Sequence, residues 1–280
     1  MPFHQGGATK QMFNELHVGR GSALGPLTIF PLWTEATAVA DYALADSLGS
    51  QYRVVDMPTT HIMIVQNICG KPLLLLEGQL MAETTPSRIV RQSVLIGAQQ
   101  SASIEVAYAG MERWGFDGLP IGRHFSARIF AAEWLEGGAR GSSVYEGFAR
   151  HISFIGPAVD SVRVFPGQVG VVIGIDGHPA MAEVFDRPEA LTHRLHAILA
   201  AVLYDVLTFG PPSGQSTPSV RSRRFLSSAA EVPMRKQAAI GMEETISGRS
   251  RLLSIEGIRW RGTGIHAVAT NNRHARNQLL

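Results

Sequence analysis

Cysteine and lysine are the scarcest reactive residues in this 280-residue chain. A single cysteine, Cys69, cannot form an intramolecular disulfide. The polar Met1–Lys10 segment lacks the apolar stretch of a secretion signal, so a cytoplasmic protein is expected. Lysine is confined to Lys10, Lys71 and Lys236 among 25 cationic residues, which fits codon bias as well as a need for planar guanidinium groups. Long hydrophobic runs are missing too. The longest, Leu195–Phe209, is broken by Tyr204 and Asp205 and falls short of the roughly 20 residues that span a bilayer, so no membrane segment is expected.

Charge of one sign is also lacking overall. The 25 Lys and Arg stand against 23 Asp and Glu, a net of +2, too little to make the whole molecule a polyelectrolyte for nucleic acid. Its distribution is uneven: residues 211–280 hold ten Arg and Lys236 against four Glu, a net of +7, which leaves −5 on residues 1–210. At 45% hydrophobic and 17% charged, the chain is globular rather than disordered, with room for one large domain or two modest ones.

From Leu27 to about Met111, short apolar runs alternate with Gly, Pro, Thr and Asn clusters: Leu27–Trp33, Tyr52–Asp56, Ile62–Gln66, Leu73–Glu77, Arg88–Ile96 and Ile104–Tyr108. These read as strands. Leu73 to Leu76 is apolar at both parities and should be buried on both faces. Glu35–Leu48 reads as a helix, capped by Thr34 and closed by Gly49. Short helices are expected around Ser126–Trp134 and Ser142–His151. Val169–Ile175, the turn Asp176-Gly177 and Met181–Phe185 form a hairpin pattern. Asp186-Arg187-Pro188-Glu189 then opens a helix to about 208, whose stripe is Leu191, Leu195, Ile198, Leu199, Val202, Leu203 and Val206.

Pro211–Arg224 reads as a surface loop, and Ala238–Glu243, Ser250–Glu256, Ile258–Arg261 and Gly264–Ala269 as a small antiparallel sheet for the helix to pack on. The resulting expectation is an α+β protein. A β-rich sandwich or distorted barrel occupies the N-terminal part, followed by a C-terminal antiparallel sheet packed on one long helix. The divisions are a polar lead-in at 1–24, the β-rich unit at 25–125, a connector with short helices at 126–165, an α+β unit at 166–270 and a loose tail at 271–280.

No constellation spells out a reaction. There is no G-x-S-x-G nucleophile elbow, and Gly19 to Gly25 does not fit the dinucleotide fingerprint. His193 and His196, three apart, have no third ligand nearby in sequence and read as a solvated helix flank. Neither a metal site nor a cofactor is expected, and the reading leans against an enzyme. The segment Glu77–Ile96 is different, because Glu77, Glu83, Arg88, Arg91 and Gln92 sit at the ends of apolar strands, where charges are costly unless paired. An internal Glu–Arg pair that fixes a hairpin is one reading. The other is a polar pocket in which Arg88 and Arg113 receive an anion, with Glu77 at the rim and Trp114 able to stack a ring.

These residues carry a resemblance. Gly25-Pro26-Leu27-Thr28-Ile29-Phe30-Pro31-Leu32, Asn67 to Gly78, Arg88 to Ile96 and Arg113-Trp114 resemble the ADP-ribosylglycohydrolase- and rhodanese-phosphatase-superfamily-associated protein domain family. Gly167 to Val172, the helix from Pro188 and Gly264-Ile265-His266-Ala267 extend the likeness to Thr270. The resemblance implies a setting in ADP-ribose or NAD-derived metabolism. Pro86-Ser87-Arg88 stands where the family favours Gln-Asn-Arg. Tyr108 to Trp114 likewise replaces a Cys-Val-Glu-x-Gly-Arg-Trp-like run. The expectation is therefore a ligand-binding or accessory protein that holds an ADP-ribose-like or other anionic small molecule. The alternative is a non-enzymatic, oligomeric interaction module. Arg221, Arg223 and Arg224 are the candidate interaction residues, for a second copy or another protein in preference to nucleic acid.

Overall fold

A hairpin buried on both faces lies at the centre of the fold. In the computed structural model, which describes residues 12–36, 40–45, 51–59, 61–81, 87–110, 153–208 and 213–277, Gln168–Ile175 is buried at every position. His178–Phe185 is buried at every position after the first. Such strands must be covered on both sides, which is why they read as unbroken apolar runs.

In chain order the strands are β1 (Leu16–Val18), β2 (Ser22–Leu24), β3 (Leu27–Thr34), β4 (Ala43–Leu44), β5 (Tyr52–Thr59), β6 (Ile62–Asn67), β7 (Leu73–Leu75), β8 (Leu80–Met81) and β9 (Ser87–Val90). They continue as β10 (Val94–Ile96), β11 (Ser101–Gly110), β12 (Gln168–Ile175), β13 (His178–Phe185), β14 (Met234–Gln237), β15 (Glu244–Arg249), β16 (Leu253–Trp260) and β17 (Thr263–Asn271). The long helices are α1 (Pro188–Thr208) and α2 (Ser219–Ala230), and residues 153–160 are also helical.

Nine strands make the main sheet, in the order β1-β3-β12-β13-β17-β16-β15-β14 with β2 on β3, every pairing antiparallel. Helix α1 covers one face: Leu191, Leu195, Leu199 and Val202 join Val171, Ile173, Met181 and Phe185 in one core. Phe225, Leu226 and Ala229 of α2 cover the other face against Val172, Ala182 and Val184. The central hairpin turns through Asp176 and Gly177 at φ 50° and 79°, the left-handed pair that a two-residue turn demands. By length and mean hydropathy (1.3) α1 is able to cross a membrane, but 78% of its most apolar window is buried in the molecule, as a core helix requires.

The N-terminal strands β4 to β11 form a sandwich. The sheet β10-β7-β4 packs on the sheet β5-β6-β11-β9-β8, with Tyr52, Met63, Val65, Leu73, Leu75, Val94, Ile104 and Val106 between them. Leu73 to Leu76 are fully buried, as their double parity implied. The sandwich is tied to the main sheet through residues 240–243. Met242 N–H donates to Leu95 O (2.8 Å), and Glu243 Oε2 accepts from Leu95 N–H (2.9 Å) while its Oε1 takes the N–H groups of Ile240 and Gly241. A Cβ on Gly241 would lie 2.3 Å from Leu95 O, so this approach needs glycine.

The α+β class holds, but several local expectations do not. Described residues of Glu35–Leu48 are not helical. Ala43 and Leu44 pair in parallel with Leu73 and Leu74, because tertiary pairing outweighs Ala and Leu propensity. Arg88–Ile96 is two strands, β9 and β10, broken at Arg91-Gln92-Ser93. Pro211–Arg224 is not one loop: α2 begins at Ser219, its buried Ser222, Phe225, Leu226, Ala229 and Ala230 keeping strict helical spacing.

The C-terminal sheet is not small, since it incorporates β1, β2 and β3 from the chain's start. Ala238–Glu243 is the connecting loop rather than a strand, and Ser250–Glu256 with Ile258–Arg261 becomes the single strand β16. Nor is the tail loose at Asn271. Asn277 Nδ2 donates to Ala180 O (3.2 Å) and Asn271 O (2.7 Å), and His274 is buried against Ile175 O. Ser126–Trp134 and Ser142–His151 lie outside the described residues.

Candidate functional site

The α1-covered face of the main sheet carries Met181, Glu183 and Phe185 of β13 in alternation, and Glu183 is the one charge among them. The β13–β17 register sets Phe185 opposite His266 and Glu183 opposite Val268, which makes Glu183 and His266 diagonal neighbours on one face. His266 Nε2–H donates to Glu183 Oε1 at 2.9 Å, and the imidazole packs on Phe185 with ring centres 4.8 Å apart. The carboxylate can only accept, so this contact places the proton on Nε2 and turns Nδ1 elsewhere.

Arg194 enters from α1, in the apolar stripe between Leu191, Leu195 and Ile198. Glu183, Arg194 and His266 are only 7%, 8% and 6% exposed. Among the described residues, Arg194 has no hydrogen-bond acceptor or ion-pair partner, and the Glu183 carboxylate acts on it only through space. Burial lowers its pKa to about 10, with Glu183 opposing, so the guanidinium stays charged at neutral pH. A buried, charged donor without an acceptor is costly.

These groups border a cleft of about 210 Å³ between the main sheet and the sandwich. Its floor is Glu183, Glu256, Thr245 and His266, one wall is Arg194 and Ile198, and the other is Glu77 with Arg91, Gln92 and Ser93. Ser93 Oγ accepts from Glu77 N–H at 2.9 Å, which ties the turn to the break between β9 and β10. Thr245 Oγ1 is buried in the same lining without a hydrogen-bond partner. Three carboxylates, two guanidiniums and an oriented imidazole can hold a ligand that is anionic at one end and rich in hydroxyls at the other.

Of the sequence candidates, Glu77 lines this cleft. Arg88 is buried on β9, opposite Met81 and Tyr108 in the strand pairing, and is not part of the lining. Gly78 N–H donates to Val90 O (2.8 Å), which ties the Glu77-Gly78 turn to the end of the strand that carries Arg88. The arginines in the lining are Arg91 and Arg194. Arg113, Trp114 and Glu83 lie outside the described residues. Arg221, Arg223 and Arg224 are exposed on α2 rather than in a loop, and Arg221 Nη1 donates to Gly177 O (2.6 Å) at the central hairpin turn. His193 is exposed, and His196 Nε2 meets Val162 O at 2.8 Å. No metal-holding cluster occurs among the described residues.

Sequence reasoning missed Glu183, Arg194 and His266. Their signal was a charged or titratable residue inside each of three apolar runs, a lone one in Ala180–Phe185 and in Gly264–Ala269 and one of several in Leu191–Val206.

No curated protein and no solved structure matches the chain. A family profile, the ARG and Rhodanese-Phosphatase-superfamily-associated Protein domain, matches residues 15–134 and 137–270, which covers both the sandwich with its Glu77 turn and the main sheet with α1. With nearly the whole chain matched, the protein belongs to that family.

Proposed function

We propose that this protein is a cytoplasmic ligand-binding accessory protein of ADP-ribose-linked metabolism, and that it holds an anionic, ADP-ribose-like small molecule in the cleft beside the Glu77-Gly78 turn. The family's name supplies the metabolic setting. The observation that carries the reading is Arg194, 8% exposed, charged, bordering the cleft and without an acceptor among the described residues. A guanidinium so placed gains a bidentate partner when a phosphate enters. Arg91 adds a second positive charge on the opposite wall.

Calorimetric titration of the full chain with ADP-ribose tests the reading. The expected result is saturable binding that Arg194→Lys weakens and Arg194→Met removes, because a point charge replaces the planar fork in the first variant and nothing replaces it in the second. Absence of ADP-ribose binding by the unmodified protein, or equal binding by Arg194→Met, overturns it.

A further inference from the structure

The lining of the cleft narrows the ligand class. Among the described residues, none of the fifteen that line it is Phe, Tyr or Trp, and the one ring there, His266, is packed on Phe185 and bonded to Glu183. A purine is ordinarily held by stacking on an aromatic face. At about 210 Å³ the cleft is also smaller than the roughly 300–1,000 Å³ typical of sites that enclose a drug-sized ligand. It suits a pentose with one phosphate better than a whole dinucleotide.

The polar groups match such a molecule. Arg194 offers a planar two-donor fork for one phosphate. The same lining holds groups that suit sugar hydroxyls. Thr245 Oγ1, unpartnered, can both donate and accept, and Glu183 uses only Oε1 on His266, which leaves Oε2 as an acceptor. Glu77 and Glu256 add two further carboxylates to the same lining. Three carboxylates against two guanidiniums leave the lining no excess of positive charge, so a single anionic group among several hydroxyls matches it better than a polyanion.

Resting on the anion-binding reading above, we infer that the cleft recognises the ribose-phosphate portion of its ligand, with phosphate on Arg194 and hydroxyls on Thr245 and Glu183, and gives an adenine base no stacking partner among the described residues. Two sources share this chemistry, a free pentose phosphate and the ribosyl phosphate end of a nucleotide sugar.

Titrations of the full chain with ribose 5-phosphate, ribose, inorganic phosphate, AMP and ADP-ribose separate the outcomes. Ribose 5-phosphate is expected to bind within about threefold of ADP-ribose, since the base and second ribose add no contacts of their own. Ribose, which leaves the buried charge unmet, should bind at least about tenfold more weakly than ribose 5-phosphate. Inorganic phosphate should also bind more weakly than ribose 5-phosphate.

Thr245→Val keeps shape while removing one neutral hydrogen bond, and should weaken ribose 5-phosphate by about two- to tenfold while leaving inorganic phosphate unchanged. Tight ADP-ribose binding with no ribose 5-phosphate binding, or AMP equal to ADP-ribose and far above ribose 5-phosphate, overturns this inference and leaves the broader reading standing. Failure of every anion to bind overturns both.

Discussion

Two clusters of part-buried or buried charge sit at the end of β13, and their acids, Glu183 and Asp186, are three residues apart. Each has one carboxylate, one arginine and one ring. In the Asp186 cluster almost every polar atom is used internally. Tyr42 Oη–H donates to Asp186 Oδ1 (2.7 Å) and Ala40 N–H to Oδ2 (2.9 Å). Arg187 Nη1 and Nη2 donate to the carbonyls of Ala40 (3.0 Å) and Tyr42 (2.6 Å), and its guanidinium lies 3.9 Å from the centre of the Tyr42 ring. Only Arg187 Nε is left over.

In the Glu183 cluster the imidazole has its carboxylate, but Arg194 has no acceptor among the described residues and Thr245 Oγ1 has no partner. The residue types barely differ, so they do not separate a clamp from a site. What separates them is how many polar atoms the fold itself satisfies.

The largest effect is expected when the Asp186 clamp is cut. Asp186→Ala leaves Ala40 N–H and the Tyr42 hydroxyl without their acceptor and removes the carboxylate beside the Arg187 guanidinium, and should cost about 3–5 kcal/mol by the usual size of two such losses. Urea unfolding reads this. Ligand binding at a temperature where the variant remains folded should be unaffected, since none of the clamp lines the cleft formed by Glu77, Arg194 and His266. A loss of stability under about 1 kcal/mol would mean that the contacts are ornamental.

The second variant should move the other way. Replacing Arg194 by Met puts an unbranched apolar chain of comparable length into a buried slot beside Leu191, Leu195 and Ile198. Exchanging a buried charge that has no hydrogen-bond acceptor among the described residues for a hydrophobe should be neutral or stabilising by about 1–4 kcal/mol. The midpoint of unfolding without ligand should therefore hold or rise while binding disappears. A fall as deep as that of Asp186→Ala would show that Arg194 has an internal partner, and the contrast between clamp and site would collapse.

The elements governed by local pattern were readable beforehand. The central hairpin announces itself through β-branched runs on either side of Asp176-Gly177, and α1 through its stripe. Glu77 was legible because a carboxylate ends a strand apolar at both parities. The rest depended on long-range placement. Ala43 and Leu44 take strand geometry only because Leu73 and Leu74 offer them an edge. Helix α2 keeps perfect spacing, but Ser222 counts as apolar there because the fold buries it, and no local pattern reveals that. Arg194 and His266 are 72 residues apart by their numbers, joined by the register of β13 with β17 and by the packing of α1.

The two clusters also differ in how pH acts on them. Burial raises the Asp186 pKa above its ordinary 3.8, against the opposing donors Ala40 and Tyr42. Burial and then Asp186 raise that of Tyr42, whose hydroxyl stays protonated and donating. A folded-state pKa above the unfolded value makes a contribution that is complete below the unfolded pKa and falls as pH rises through the folded one. Relative to Asp186→Asn, which does not titrate, the unmodified protein should lose advantage as pH rises from about 4 toward 7. Urea midpoints across that range measure it, and an advantage that grows with pH would mean the clamp favours the ionised acid more than burial opposes it.

The smallest effect belongs to an ion pair that has partners but no burial. Lys236 Nζ donates to Glu244 Oε1 at 2.7 Å, with side chains 45% and 41% exposed, and Arg259 lies 3.5 Å from the other oxygen. The Lys236 hydrogen bond is the main reason the Glu244 carboxyl sits below its ordinary pKa. That sign gives stability above the unfolded pKa, lost as pH falls through the folded one, opposite to Asp186. Solvent screens this pair, so Lys236→Met should cost only about 0.2–0.5 kcal/mol, less still at high salt. A loss above about 1 kcal/mol, unmoved by salt, would show that partner count alone sets the energy of a charge here. The small loss expected instead means that both conditions matter: burial makes the charge costly, and only then does its internal satisfaction decide between a clamp and a site.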